Sequence, residues 1–315
     1  MSMSCNSLKR LLSMAGIFLL ASSTVLAADN TVLEPIKLTD EVWAIVGPLS
    51  NRTPQNLGNN ATFGLVVTNE GAVLVDPGGS YLGAKQLHGV VKKITDKPVK
   101  YVINTGGQDH RWFGNDYFSQ LGAKVIASKN AVADQKQRFN SQWNRMANTA
   151  GEAALQGTKA RHADIVFDTS HTFSLGGIAF ELHHRGQAHT PGDSYVWLPA
   201  QQVLFTGDIV YTERMLGVSE HSNSKSWLAV FEAMAAHKPA HVVPGHGHPT
   251  DLNTATRDTY DYLAFLRKSV AAFMEEGHDI SDIGKVDQSA FSYLQNFDSL
   301  NGRNIQKVYR EMEWE

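Results

Sequence analysis

The sequence predicts an α/β fold, and three features of the chain carry that prediction. Short runs of β-branched and apolar residues are separated by glycine turns, which is typical of strands. Between several of these runs, apolar residues recur every three or four positions, which is typical of amphipathic helices. Some of the strand-like runs also end at a glycine turn that carries a histidine or an aspartate. Strands that alternate with helices in this way indicate an α/β domain.

The first half of the chain contains five predicted strands and one clear helix. Ser80 is placed to cap that helix, and its buried stripe is predicted to contain Leu87, Val90, Val91 and Ile94. The predicted strands cover residues 42–46, 63–68, 72–75, 99–103 and 124–127.

Residues 128–157 form a polar, alanine-rich segment between the two halves. Phe139, Trp143 and Met146 recur there at helical spacing. We favour a helix packed through these three side chains, with a lid over a substrate site as the alternative.

The second half repeats the alternation of strands and helices. Trp227, Val230, Phe231 and Met234 form a helical stripe, and a last long helix ends at Gly277. Residues 281–315 are expected to form a helical tail that closes over the core. The predicted strands of this half cover residues 164–167, 178–184, 195–198, 203–206 and 241–243.

Residues 1–27 have the pattern of a secretory signal peptide. Lys9 and Arg10 precede an apolar core over 11–21, and small residues at 25–27 form a cleavage site. The core is shorter than the roughly 20 apolar residues that span a bilayer. We therefore expect export, to the periplasm of a bacterium, and a mature single domain from 28 to 315 with no membrane span.

Composition narrows the chemistry of the mature chain. The only cysteine, Cys5, lies in the signal segment, which excludes a disulfide and a thiolate ligand from residues 28–315. Without Lys9 and Arg10, the 28 Lys and Arg become 26 against 31 Asp and Glu, a formal charge of about −5. This balance argues against nucleic acid as a partner and favours a small-molecule substrate.

Four glycine-rich segments carry the residues with catalytic potential. The first runs from 103 to 115 and reads Ile-Asn-Thr-Gly-Gly-Gln-Asp-His-Arg-Trp-Phe-Gly-Asn. The others cover 186–193, 205–208 and 243–248, and they contain His189, Asp208 and His246. In order and spacing, the four segments resemble the metal-binding loops of the metallo-β-lactamase superfamily. The resemblance covers residues 42–250 and implies a four-layer αβ/βα metallo-β-lactamase sandwich.

The first segment keeps the frame of the family motif and loses its histidines. In most of the family this loop reads Thr-His-x-His-x-Asp-His. When Thr105, Gly114, Asn115 and Phe118 are placed on the frame residues, no gap is needed. The motif positions are then occupied by Gly106, Gln108, His110 and Arg111. An alternative register, shifted by one residue, keeps an Asp-His pair at Asp109 and His110 but needs an insertion before Gly114.

The resemblance implies two metal positions, and the gapless register fills them unequally. The first position keeps only His189, because Gly106 has no side chain and the neutral amide of Gln108 competes poorly for a transition metal. The second keeps His110, Asp208 and His246. We predict one zinc ion bound by His110, Asp208 and His246, with His189 as a further candidate ligand. Two imidazoles and a carboxylate also suit Fe(II).

Four further residues are candidates for a supporting role. Asp76 follows a strand and is expected to accept hydrogen bonds or to orient a ligand. Gln108 and Asp109 are expected to contact ligands or substrate, and Arg111 to bind a substrate anion or to lie in solvent. Four other histidines are expected to be solvent-facing or to hydrogen-bond to ligands: His183, His184, His221 and His248.

The sequence favours an exported metal-dependent hydrolase that acts on an ester, thioester, lactam or similar bond. Metal-activated water would be the nucleophile, with His110 and Asp208 at the reacting centre. One alternative is a non-catalytic, ligand-binding descendant of the fold. The other is a mononuclear Fe(II) oxygenase on the same scaffold, and metal content separates the three.

Overall fold

Two β-sheets packed face to face form the centre of the fold, which the computed structural model describes from Val32 to Glu315. The predicted signal segment, residues 1–27, lies outside the described residues. The first sheet has seven strands in chain order, antiparallel from β1 to β4 and parallel from β4 to β7. Its strands are β1 (Glu34–Lys37), β2 (Val42–Val46), β3 (Thr62–Thr68), β4 (Gly71–Val75), β5 (Val99–Asn104), β6 (Lys124–Ser128) and β7 (Ile165–Phe167).

The second sheet has five strands in the spatial order β12-β11-β10-β9-β8. Only β11 and β12 are parallel, and the other neighbours are antiparallel. Its strands are β8 (Ser170–Leu175), β9 (Ile178–His183), β10 (Tyr195–Leu198), β11 (Val203–Phe205) and β12 (His241–Val243).

The helices lie on the outer faces of the sheets and in the connections. None of them, within residues 32–315, is both long and apolar enough to cross a membrane. They are α1 (Tyr81–Ile94), α2 (Asn115–Gln120), α3 (Lys129–Ala150), α4 (Ser224–Ala235), α5 (Leu252–Ala255), α6 (Asp261–Glu275) and α7 (Phe297–Met312). Short 3-10 turns cover Asp109–Arg111, Glu152–Leu155, Gly207–Ile209, Ile280–Lys285 and Ser289–Phe291, and a π turn covers Thr256–Tyr260.

Three apolar clusters separate four layers. One lies between α1 and the outer face of the first sheet and includes Leu87 and Val90. A second lies between the two sheets, where Val73 and Phe180 are fully buried. The third lies between the second sheet and the helices α4, α6 and α7, around Trp227. The order helix, sheet, sheet, helix confirms the predicted four-layer α/β sandwich.

Several local predictions are also confirmed. Ser80 caps α1, since its hydroxyl accepts a hydrogen bond from the backbone N–H of Gly83 at 2.9 Å. The segment after 128 is the long helix α3, and Met146 is buried against Trp112 and Phe113. The tail differs in part from the prediction, because the 3-10 turns of residues 280–291 precede its one long helix, α7.

The sequence missed two edge strands, β1 and β8. Only one of the four residues in β1 is even partly buried, and β8 alternates exposed and partly buried side chains. An edge strand with a polar composition lacks the apolar pattern that identifies a buried strand. Neither strand contributes a residue to the candidate site.

Candidate functional site

The loop after β5 packs closely against two aspartate side chains, and two glycines permit this. A Cβ atom at Gly106 would lie 2.6 Å from Asp193 Oδ1, and one at Gly107 would lie 1.9 Å from Asp134 Oδ2. A side chain at either position would require the facing aspartate to move. The loop then turns through the 3-10 segment Asp109–Arg111, which delivers His110 to the interior.

His110, Asp208 and His246 come together at the ends of three strands. Their potential ligand atoms lie within 4.8 Å of one another, and all three residues are buried. Asp208 Oδ2 lies 3.2 Å from His110 Nε2, and Asp208 Oδ1 lies 3.3 Å from His246 Nε2. Three of the four side chains that the sequence suggested as metal ligands therefore meet around one carboxylate.

Close packing of the glycine turns brings these strand ends together. Gly207, next to Asp208, has φ +51°, and a Cβ atom there would lie 2.2 Å from Thr105 Oγ1. Gly245, next to His246, lies against the carbonyl of Gly207, which a Cβ atom would approach to 2.3 Å. The small residues beside Asp208 and His246 thus set the distance between the two ligand-bearing loops.

Arg111 is not solvated and does not face a substrate, contrary to both interpretations of the sequence. Its side chain is 0% exposed. It donates to Asp208 Oδ1 at 2.8 Å, to Asp76 Oδ2 at 2.8 Å and to the carbonyl of Gly245 at 2.9 Å. Burial raises the pKa of Asp208, but the Arg111 guanidinium and the contacts with His110 and His246 together lower it by more, so that the pKa lies well below its usual range. Asp208 is therefore a carboxylate.

Asp76 acts as a structural anchor, as expected. It accepts hydrogen bonds from the backbone N–H and the hydroxyl of Thr105, at 2.8 and 2.7 Å, and pairs with Arg111. Its φ of +65° lies in the left-handed region, which is uncommon for a residue other than glycine. The turn after β4 thereby fixes both the start of the first loop and the position of Arg111.

One ring nitrogen of His246 faces a carboxylate. The other, Nδ1, lies 2.7 Å from the carbonyl of Asn60, which can only accept, and 3.2 Å from Arg214 Nη1, which can only donate. The shorter contact, to Asn60, favours the tautomer with the proton on Nδ1. Burial, followed by the charge of Arg214, holds the pKa of His246 well below its usual range, so the ring is neutral. The lone pair of Nε2 then faces Asp208 Oδ1 across 3.3 Å. Two acceptors at this distance need a proton or a cation between them.

His110 has two neighbours that favour opposite tautomers. Its Nδ1 lies 3.2 Å from Asp109 Oδ1, which accepts, and 2.8 Å from Arg52 Nη2, which can only donate. The tautomer that donates Nδ1–H to Asp109 leaves Nε2 free to bind a metal ion, as in other carboxylate-oriented ligand histidines. Asp109 itself is ion-paired to Arg52 and lies 3.5 Å from Arg145 Nη2. Asp109 and Asp208 thus contact different ring nitrogens of His110, Asp109 at Nδ1 and Asp208 at Nε2.

His189 lies outside the group of three and is paired with Gln108. Its Nδ1–H donates to the carbonyl of Gly217 at 2.9 Å. Burial lowers the pKa of His189 to about 4, so the ring is neutral and Nε2 has a lone pair. Gln108 Oε1 lies 2.6 Å from Nε2, and a 180° rotation of the side-chain amide places its NH2 group there as the donor to the Nε2 lone pair. The imidazole that the resemblance assigns to the first metal position is thus satisfied by an amide.

The arginines around the site have no signal in the sequence that identifies them. Arg52 lies in the loop of residues 47–60 and is 57 positions from Asp109, its partner. Arg145 comes from α3 and Arg214 from the segment after β11. A cavity of about 290 Å³ lies beside the contact of Gln108 with His189.

The donor set fits one divalent metal ion. Two imidazole nitrogens and one carboxylate are common ligands of zinc and of non-haem iron. In His246 the protonated Nδ1 is fixed by a backbone carbonyl, which is the usual way to direct Nε2 toward a metal. Catalytic zinc sites use three protein ligands and leave one position open.

Comparisons with known proteins identify the family to which the chain belongs. Residues 58–246 match the family model of the metallo-beta-lactamase superfamily. The chain is 25% identical over 209 residues to the metallo-beta-lactamase type 2 of Elizabethkingia meningoseptica. The aligned segment makes up 65% of this chain and 75% of that protein. It is 20% identical over 257 residues to a linear primary-alkylsulfatase of a Pseudomonas species, covering 68% of this chain and 47% of that one.

Solved structures give the same result. A metallo-beta-lactamase from Pontibacter korlensis is 27% identical and superposes with a TM-score of 0.57, covering 71% of this chain and 95% of that one. A double mutant of a sec-alkyl sulfatase shares the fold with a TM-score of 0.70 at 16% identity, covering 89% of this chain and 50% of that one. Since the family model matches more than half of its residues, the chain belongs to the metallo-beta-lactamase superfamily.

Proposed function

We propose that the protein is a hydrolase that uses one metal ion, held by His110, Asp208 and His246, to cleave an ester, thioester, lactam or similar bond. Hydrolases of the same superfamily are among its relatives, including β-lactamases and an alkylsulfatase. Zinc is the expected ion. When bound, it would act as a Lewis acid and lower the pKa of a coordinated water toward ~7.

One observation carries the proposal. The neutral Nε2 of His246 faces the ionised carboxylate of Asp208 at 3.3 Å, and both side chains are buried. Arg111 already holds Asp208 from its other side, so the carboxylate is charged without help from His246. A cation held by His246 and Asp208 would turn this unfavourable contact into ligation.

The residues of this chain prepare the centre in distinct ways. Arg111 keeps Asp208 ionised and fixes its plane through contacts to both oxygens, at 2.8 and 3.3 Å. The carbonyl of Asn60 fixes the ring of His246. Asp109 holds the proton on Nδ1 of His110 and thereby directs Nε2 inward. The cysteine-free mature chain leaves water as the expected nucleophile.

These contacts support the gapless register of the first loop. In that register His110 is the ligand and Asp109 lies between motif positions. The proposal therefore assigns Asp109 the orientation of His110 and not metal binding. His189, which was a further candidate, is assigned to the hydrogen bond with Gln108.

Metal analysis combined with a substrate screen tests the proposed function. The mature chain, purified without added metal, is expected to contain about one zinc per chain and to hydrolyse a member of an ester, thioester and lactam panel. Chelation should remove the activity and zinc should restore it. Iron in place of zinc would favour the oxygenase, and metal-free protein that is inactive after zinc addition would favour a ligand-binding descendant.

A further inference from the structure

The cavity beside Gln108 and His189 is bounded by three separate parts of the chain. Arg138 and Arg145 come from α3, the segment 217–221 forms a second wall, and Arg303 comes from α7. Its volume is about 290 Å³, which is enough for a small organic group. Its wall includes Gln108, from the loop that also carries His110, whereas His110, Asp208 and His246 themselves do not line it.

The charges of the cavity wall do not cancel. Arg138 is paired with the buried Asp134 of the same helix. Glu220, the carboxylate in the wall, lies 3.4 Å from the ammonium group of Lys307. Within each of these two pairs, the positive and negative charges cancel. Arg145 and Arg303 therefore provide the net charge of the wall.

Neither of these two arginines has a full counter-charge. Arg145 Nη2 lies 3.5 Å from Asp109 Oδ2, while the other oxygen of Asp109 is held by Arg52. One carboxylate thus serves two guanidinium groups. Arg303 makes no ion pair with any of residues 32–315. A cavity wall with two incompletely compensated guanidinium groups is suited to an anion.

The charges around Arg145 also favour an anion in the cavity. Asp109 raises the pKa of Arg145, but partial burial and the positive charges of Arg52 and Arg138 lower it by more, so the net shift is downward. An anion in the cavity would offset this repulsion. Guanidinium groups bind carboxylate, sulfate and phosphate through paired hydrogen bonds.

We propose that the cavity binds an oxyanion group of the substrate, a carboxylate, sulfate or phosphate, through Arg145 and Arg303. The inference rests on the proposed hydrolase function and narrows its substrate class to molecules with such a group next to the bond that is cleaved. In this chain, Gln108 and His189 lie where the resemblance places the first metal ion, but they do not form a set of metal ligands. The two arginines supply positive charge beside them. The substrate anion is held there while the reacting bond lies toward His110.

Anion binding to metal-free protein tests the site independently of catalysis. The full mature chain, stripped of metal, would be titrated calorimetrically with sodium sulfate, sodium phosphate and sodium acetate at constant ionic strength in chloride. Wild type should bind at least one of the three. Arg303→Gln should weaken binding by about tenfold or more, as expected for loss of a charge-assisted hydrogen bond, and Arg303→Lys should restore part of it. The Arg145→Gln/Arg303→Gln double variant should show no saturable binding.

The matched control is Arg185→Gln, because Arg185 is exposed and lies outside the cavity. It should bind as wild type does. Circular dichroism would establish that each variant is folded, and Arg303 is exposed, so its replacement should not disturb folding. Equal binding by wild type and the double variant, or no binding by wild type, would overturn the anion site.

A substrate pair separates this inference from the proposed function. For a hydrolysed substrate, the KM of the anionic form should be at least about tenfold lower than that of its neutral methyl ester, and Arg303→Gln should remove most of that difference with little change in kcat. Hydrolysis without any preference for the anion would overturn the anion site and leave the hydrolase standing. Anion binding without hydrolysis would instead overturn the hydrolase.

Discussion

The two groups of residues that the resemblance assigns to the superfamily's metal positions differ in charge and in their hydrogen bonds. At the first, Gln108 donates to a neutral His189, and burial together with the charge of Asp208 raises the pKa of the neighbouring Asp193 to about 8. That position has no ionised ligand at neutral pH. At the second, Asp208 is ionised and faces two imidazoles, with Arg111 behind it. The polar atoms of the first group are uncharged and hydrogen-bond to one another. The second group keeps a charged carboxylate, which can bind a cation.

The largest expected effect concerns Arg111, whose buried charge supports the second position. Arg111→Met leaves Asp76 and Asp208 buried without their shared cation, and we expect a loss of ~3–5 kcal/mol in the free energy of unfolding. At the first position, Gln108→Leu removes one hydrogen bond and should cost only ~1 kcal/mol. Urea unfolding measures both.

Arg161→Met is the control for loss of an arginine, because Arg161 and its partner Asp164 are partly exposed. This variant should change stability by less than ~1 kcal/mol. Equal losses for Arg111→Met and Arg161→Met would show that Arg111 has no special role.

The pH dependence of the free energy of unfolding should show that His189 is buried in its neutral form. The folded pKa of His189, about 4, lies below the unfolded value of 6.5. The unfolded chain therefore takes up a proton first as the pH falls, and the metal-free protein loses stability between pH 6.5 and 4. The contribution of His189 to this loss is about 3 kcal/mol. In His189→Asn the slope over this window should fall by about one proton, as measured by urea unfolding at a series of pH values. An unchanged slope would mean that His189 is not buried in the neutral form.

Asp109 and Arg52 should shift the metal affinity of the second position in opposite directions. Asp109→Asn removes the carboxylate that orients His110 and should weaken zinc binding by ~10- to 100-fold. Arg52→Met removes the donor that competes for Nδ1 of His110, together with a nearby positive charge, and should strengthen zinc binding. Competition with a chromophoric chelator measures the affinities. Shifts of the same sign would contradict the assigned tautomer.

The smallest effect is expected when one imidazole is returned to the first position. Gln108→His should not create a tight second metal site, because Gly106 still offers no side chain and a Cβ atom there would lie 2.6 Å from Asp193 Oδ1. Native mass spectrometry in zinc-containing buffer should show the stoichiometry of wild type. A second zinc held as firmly as the first would mean that Gln108 alone disables this position.

The fold was largely predictable because its buried strands have continuous apolar runs and its helices have clear stripes. Phe63 and Leu87, for example, belong to patterns that can be identified without knowledge of their neighbours. The edge strands β1 and β8 were not predictable, since their exposed side chains carry no such pattern. Polar edges are typical of natural sheets, because they discourage pairing with other chains.

The candidate site was predictable in its ligands and not in its supporting charges. Glycine turns at the ends of apolar runs, together with the resemblance to the superfamily's metal-binding loops, pointed to His110, Asp208 and His246, whose side chains the structure brings together. The role of Arg111 depends on the meeting of Asp76 and Asp208, which are 132 positions apart in the chain. Arg52 likewise acquires its role only when its loop folds over Asp109. Long-range ion pairs of this kind leave no local pattern in a sequence.

Zinc stoichiometry in wild type, His110→Ala and His189→Asn, measured by native mass spectrometry under one set of conditions, tests the central claim most directly. The claim is that the second position alone binds metal, through His110, Asp208 and His246. We predict one zinc per chain in wild type, none in folded His110→Ala and one in His189→Asn. Two zinc ions in wild type, or loss of zinc in His189→Asn with retention in His110→Ala, would contradict the account.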